Sequence, residues 1–140
     1  MEYRENELTC EDYCRLRTSV GWNNWAEEQV RRALGCSLHT VTAVEQGRTV
    51  AMARLVGDGI YNVLVDVVVQ PEHQGKGIGR HMVSLLLDRL QTELPAGGRG
   101  SVQLIAEPGK EPFYEGLGFR RLPTGSCGSG MRRILHRPEA

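Results

Sequence analysis

Gly75, Gly77 and Gly79 stand two residues apart in "QGKGIG", between a β-branched run and an amphipathic stretch. A strand–glycine turn–helix sequence suits an anion. Glycine lets the backbone approach a ligand closely, and the first N–H groups of a helix have no partner within it. With the helix dipole added, such a turn favours a phosphate or pyrophosphate. Lys76 and Arg80 add positive charge at its rim. Two nucleotide loops do not fit. The G-x-x-x-x-G-K-[ST] spacing is absent. A G-x-G-x-x-G fingerprint needs repeated βαβ units, whereas the strands before this turn read as antiparallel. The bland alternative, a tight turn and nothing more, rarely needs three glycines.

The elements that position this turn follow from periodicity. "MEYRENE" makes a short opening strand. Thr9 with Asp12 is a capping-box-like start, and a helix over about 10–19 turns Tyr13, Leu16 and Val20 inward. Asn24 with Glu27 restarts a helix whose apolar side is Trp25, Val30, Ala33 and Leu34, ending at Gly35. Three antiparallel strands follow, turning at Gln46-Gly47 and at Gly57-Asp58-Gly59. The third, over about 62–70, is apolar nearly throughout, as a strand covered on both faces should be. Asp66 is the exception, a carboxylate among valines that needs a partner or a task. From Ile78 the period becomes helical, with Ile78, Met82, Leu85, Leu86 and Leu90 inward and Arg80, His81, Ser84, Asp88 and Arg89 outward. "SVQLIA" reads as a fifth strand, "GKEPFYEGLGF" as a short helix closed by Gly118, and "GMRRILHR" as a last strand.

"QGKGIG" fits the Q/R-x-x-G-x-G/A signature of the GNAT superfamily of N-acetyltransferases, with Gln74, Gly77 and Gly79 at the named positions. "VVVQPEH" resembles the strand placed before that loop, and "FYEGLGF" resembles the later aromatic helix-and-strand signature. The order of elements matches along essentially the whole chain. The resemblance implies an α/β (α+β) GNAT fold: a mixed, mostly antiparallel central sheet of about six to seven strands, helices on both faces, and splayed strands forming a coenzyme A cleft.

It also implies roles. The backbone of Gln74, Gly75, Lys76, Gly77, Ile78 and Gly79 is expected to bind the pyrophosphate of acetyl-CoA, with Arg80 at the rim. Val67 and Val69 are expected to pair with the pantetheine arm as an added strand does. The Val67 amide would also polarise the thioester carbonyl. Tyr114 matches the tyrosine that donates a proton to the departing thiolate; the alternative is an aromatic packed beside Phe113 and Phe119. Asp66 is a candidate base. Strand alternation turns it away from Val67 unless a bulge intervenes, and the alternative is a buried carboxylate satisfied by a helix terminus or an arginine. One departure stands out: Glu107 occupies the position of a frequent asparagine that helps hold the cofactor arm, with Lys110 nearby to compensate.

The acceptor is less legible. Trp22 and Trp25 suit an apolar or cation-binding wall, and Glu27 or Glu28 attracts an amine; as hydrophobic anchors the tryptophans need no such role. The expected reaction is direct acetyl transfer to a primary amine, on a small molecule or a protein, in a ternary complex. The alternatives are a non-catalytic acyl-CoA-binding or protein-interaction module and a nucleotide binder.

Composition narrows the partners. The 140 residues suit a single domain over 1–140, and 17 basic residues balance 17 acidic ones, so no global field draws the chain to nucleic acid or an anionic membrane. No apolar run has bilayer length and the first residues lack a signal-peptide core, so a cytoplasmic location with four reduced cysteines is expected. The spacing of Cys10, Cys14, Cys36 and His39 is too loose for a zinc knuckle, and no metal is expected. Homodimerisation, common in the family resembled, has no signal of its own here.

Overall fold

Residues 1–139 are described by a computed structural model, and they form two compact units that divide after Leu104. The first unit opens with β1 (Glu2–Glu5). α1 (Cys10–Ser19) begins where the Thr9 hydroxyl accepts from the Asp12 amide at 3.1 Å. That bond satisfies one of the helix's otherwise unpartnered N–H groups. α2 (Glu27–Gly35) starts differently from the sequence expectation. Ala26 holds the cap position with no side-chain bond. Asn24 instead donates to the Cys14 carbonyl at 3.3 Å and the Thr18 hydroxyl at 3.0 Å, tying the α1–α2 loop back onto α1.

β2 (His39–Glu45), β3 (Arg48–Gly57) and β4 (Tyr61–Val69) form the expected antiparallel meander. β1 pairs with β2, and β5 (Ser101–Gln103) joins β4 in parallel, giving the order β1-β2-β3-β4-β5. The sheet of the described residues therefore has five strands rather than six or seven. "SVQLIA" pairs only over its first three residues. "GMRRILHR" forms no strand. Its apolar residues, Met131, Ile134 and Leu135, break period-2 alternation and lie exposed, and an extended segment without a ladder partner has little to hold it.

α3 (Ile78–Glu93) packs on β2, β3 and β4. Both faces of the sheet are covered, because the consecutive residues Ala51, Met52 and Ala53 are all fully buried. Met52 and Val68 join Cys10, Tyr13, Leu16 and Val30 in a core under α1 and α2. On the other face, Tyr3, Ala43 and Ala51 lie side by side across β1, β2 and β3. There the Tyr3 ring meets His81 of α3 at 4.3 Å, and the small alanines let α3 approach. Val83 is buried beside the expected Ile78, Met82, Leu86 and Leu90, while Leu85 is only half-buried: the inward stripe of a helix lying on a sheet is broad. The second unit contains α4 (Glu111–Glu115), closed at Gly118 with φ 93°. Among the described residues no helix is long and apolar enough to cross a membrane.

Leu16 is the α1 residue most completely enclosed. Leu16→Ala is expected to lower the unfolding free energy in urea by about 2–5 kcal/mol, the range for an unfilled cavity at a packed leucine. A loss under about 1 kcal/mol would show that α1 is not clamped to the sheet.

Candidate active site

β4 runs into the glycine turn through one 3-10 turn at Pro71–His73. Gly75 and Gly77 take φ of 78° and 81°, values that L side chains rarely adopt, with open space where a Cβ would stand. Gly77 holds the N-cap of α3 without a side-chain bond. Among the described residues, the amides of Gly75, Lys76, Gly77, Ile78, Gly79 and Arg80 donate to no backbone or side-chain acceptor, in contrast to His81, which closes the first helical turn onto Gly77 at 3.1 Å. The turn is a row of free donors at a helix N-terminus. Lys76 and Arg80 are exposed and make no ion pair within this unit, whereas the Ile78 side chain is core and only its amide faces out. Gln74 anchors the turn by donating its side-chain amide to the Val69 carbonyl at 3.0 Å.

The strand before the turn is open along one edge. β4 pairs with β5 only over Tyr61–Val63. Farther on, the Gln70 amide points to β3, where it meets the Val50 carbonyl, while the Val69 carbonyl faces the opposite edge toward Gln74. A residue's N–H and C=O share one edge of a strand, and the edge alternates along the chain. Val69 therefore turns its amide to the side without a strand partner.

Between these features lies a bulge. Met52 pairs with Val68 and Arg54 with Val65, so Asp66 and Val67 together oppose the single residue Ala53. Asp66 has φ 52°, a conformation that costs about 1–2 kcal/mol in most L residues and that Asp and Asn tolerate best. The bulge turns Asp66 to the side of α1, where its carboxylate receives Arg17 at 2.7 Å, Arg54 at 3.1 Å and the Tyr13 hydroxyl at 2.9 Å. Of the two sequence readings of Asp66, the one with arginine partners describes its surroundings. Arg54 also donates to the Ala33 carbonyl and the Ser37 hydroxyl at the end of α2. Burial, followed by the charge and hydrogen bond of Asp66, pushes the Tyr13 phenol up to about 12.

This cluster walls a cavity of about 310 Å³ formed by α1, α2, β3 and β4 and lined also by Trp25, Gln29, Val30, Ala33 and Val65. One face of each of Trp22 and Trp25 is occupied from within the chain. The Arg17 guanidinium lies over both indoles, at 5.2 and 5.7 Å from their centroids, and over Tyr13 at 5.7 Å. Glu27 does not line the cavity; it is exposed and pairs with Arg31 at 2.7 Å. Arg17, Gln29 and Arg54 are the lining residues that the sequence reading passed over. The usable signal was a second lone charge, Arg54, in the strand next to Asp66; a strict hairpin register sets the two on opposite faces and so hides their pairing.

In the second unit, the Tyr114 ring meets Phe113 and Phe119 edge-on, with centroids 4.9 and 6.0 Å apart. Its hydroxyl makes no hydrogen bond among the described residues. Burial raises its pKa, with a further push from Glu107. Lys110 meets Glu107 only through the backbone, at 2.9 Å. No group of three or more His, Cys, Asp or Glu among the described residues has the arrangement of a metal site, and Cys10, Cys14, Cys36 and Cys127 are free thiols.

Comparison with known proteins bears out the fold class. The family described as "Acetyltransferase (GNAT) domain" matches residues 11–134. The chain is 40% identical over 119 residues to serotonin N-acetyltransferase 2, chloroplastic, of Oryza sativa subsp. japonica; the match covers 81% of this chain and 58% of that protein. The chain thus spans little more than half of that relative. Among solved structures, an acetyltransferase of the GNAT family from Streptococcus pneumoniae aligns with a TM-score of 0.80 at 31% identity, over 97% of this chain and 98% of that one. A Staphylococcus aureus protein of unknown function gives 0.81 at 28% identity, over 96% and 98%.

The Tyr13 phenol gives an alkaline test of the cluster. Its raised pKa means the folded chain holds that proton more tightly than the unfolded chain, where it leaves near 10. The resulting stabilisation is complete below about pH 10 and is lost as pH rises toward about 12. Unfolding free energies at about pH 9 and about pH 11 are expected to fall more steeply for the native chain than for Tyr13→Phe. Equal slopes would remove the Tyr13–Asp66 contact from the account.

Proposed function

Because this chain belongs to the GNAT family of acetyltransferases, we propose that it transfers an acetyl group from acetyl-CoA to the nitrogen of a primary amine, both reactants being bound at once. The observation that carries this reading is the row of uncommitted amides from Gly75 to Arg80 at the start of α3. Six N–H groups in one turn, with the helix dipole behind them and Lys76 and Arg80 at the rim, fit a pyrophosphate. The left-handed Gly75 and Gly77 are what the turn requires in order to aim them.

Acetyl-CoA, which this family uses, supplies a thioester carbonyl carbon open to an amine and a thiolate as leaving group. The outward edge of β4 suits its pantetheine amides, with Val67 and Val69 providing backbone groups as a paired strand does. The Val67 N–H donates to the carbonyl oxygen and so favours the negative charge that grows there. The amine nitrogen forms the new N–C bond as the C–S bond breaks and its electron pair stays on sulfur. Tyr114 gives its hydroxyl proton to that sulfur; an unengaged hydroxyl with a raised pKa remains protonated until it is needed. The proton released by the amine goes to water, and the Tyr114 phenolate takes a proton back from water to close the cycle. Asp66, which already accepts from three donors, holds the cavity wall.

Calorimetry with acetyl-CoA, desulfo-CoA, NAD and ATP tests the reading. Acetyl-CoA and desulfo-CoA are expected to bind and the other two are not; no coenzyme A binding, or a preference for NAD or ATP, overturns it. With an amine panel followed by thiol release, Tyr114→Phe is expected to lower kcat by about 100-fold and leave acetyl-CoA affinity within about threefold. An unchanged kcat would remove Tyr114 from the reaction.

A further inference from the structure

The cavity beside Asp66 carries charge of one sign. Its lining holds two guanidiniums, Arg17 and Arg54, against one carboxylate, which leaves a net charge of one positive unit. An arriving ammonium finds no free carboxylate there, and the uncommitted acceptor on the lining is the Gln29 side-chain oxygen. The Asp66 oxygens already accept from Arg17, Arg54 and Tyr13, and one face of Trp25 is covered by Arg17.

The free polar groups are chiefly donors. Arg54, a lining residue, gives Nε to Asp66 and Nη1 to Ala33 and Ser37, but Nη2 has no protein acceptor among the described residues and is not fully buried. The Gln29 side-chain amide on the same wall makes no hydrogen bond either. Arg17 differs, since each of its three nitrogens is engaged, Nη1 with Asp66 and Nε and Nη2 with the Asn23 carbonyl at 3.2 and 2.6 Å. The β4 wall, Val65 and Asp66, immediately precedes Val67, so a molecule seated in the cavity lies beside the strand edge assigned to the donor.

We propose that this cavity receives an anionic group, a carboxylate or phosphate, carried by the acceptor amine and bound by Arg54 Nη2 and the Gln29 amide. The proposal rests on the acetyl-transfer reading above and narrows its acceptor to small amines that bear an anion. A volume of about 310 Å³ accommodates such a molecule, and Val30, Ala33 and Val65 meet its apolar part.

Matched acceptors test this on the full chain with acetyl-CoA present: phenylalanine against phenethylamine, and O-phosphoethanolamine against ethanolamine. The anionic member of at least one pair is expected to show kcat/KM at least about tenfold above its neutral partner, and which pair responds tells carboxylate from phosphate. Gln29→Glu, a substitution at an exposed residue without structural bonds, is expected to cut that ratio at least about fivefold while acetyl-CoA affinity holds. Arg54→Gln is expected to do the same wherever the variant folds. Binding of the same pairs, followed by saturation-transfer NMR, reads the preference even where no acceptor turns over. Equal binding and equal rates, or preference for the neutral members, overturn the cavity proposal and leave acetyl transfer standing. Absence of acetyl-CoA binding overturns acetyl transfer, and the NMR preference then still decides the cavity.

Discussion

Two arginines and a tyrosine converge on one carboxylate, and the rest of the first unit is arranged around that meeting. Tyr13 and Arg17 come from α1, Arg54 from β3 and Asp66 from the bulge in β4. Arg54 extends the network to the last turn of α2, where the Ala33 carbonyl accepts from it as well as from the Cys36 amide and the Ser37 hydroxyl. Taking these charges out of water is costly, and such clusters are weak stabilisers compared with well-packed apolar side chains. Removing a single member is a different matter, because it strands a buried charge at a cost of about 3–5 kcal/mol. The cluster therefore defines one arrangement of α1, α2, β3 and β4 more than it deepens the stability of the fold.

β4 joins that network to the rest of the site. Its first three residues are sealed by β5. Its middle carries the bulge and supplies the cavity wall. Its end turns Val69 to an unpaired edge and runs into the glycine turn, which Gln74 ties back to Val69. A cavity, an open edge and an anion cradle thus follow one another along fewer than twenty residues of chain, positioned by the same sheet. The left-handed Asp66 is the cost of this economy, and it is tolerated because three donors hold the side chain where the strain puts it.

The charge of the cavity bears on what the family assignment leaves open. Read alone, the sequence allows two tryptophans near a helix start to be hydrophobic anchors or an apolar or cation-binding wall. Folding puts the chain's own Arg17 over their faces, and Glu27, the acidic residue expected to attract an amine, spends its charge on Arg31 at the surface. The residue types are as expected; their partners invert the electrostatics. What remains uncommitted on the cavity wall includes a guanidinium N–H of Arg54.

The sequence by itself determined the local features of this protein. Thr9 caps α1, Gln46-Gly47 and the 57–59 turn set the meander, and the glycines at 75, 77 and 79 open the helix of the anion turn, because capping, turn geometry and helical period depend on residues a few positions apart. It also carried the family, through signatures whose backbone demands are equally local. The long-range pairings were decided only in the tertiary structure. The alternation of a strand assigns Arg54 and Asp66 to opposite faces. One extra residue opposite Ala53 reverses that assignment, and whether a bulge forms depends on donors 12, 49 and 53 residues away that no local pattern announces. The strand expected over 130–137 was misjudged for a related reason. β-branched and apolar content indicates that a segment is able to extend, but a strand exists only where another edge is there to receive it.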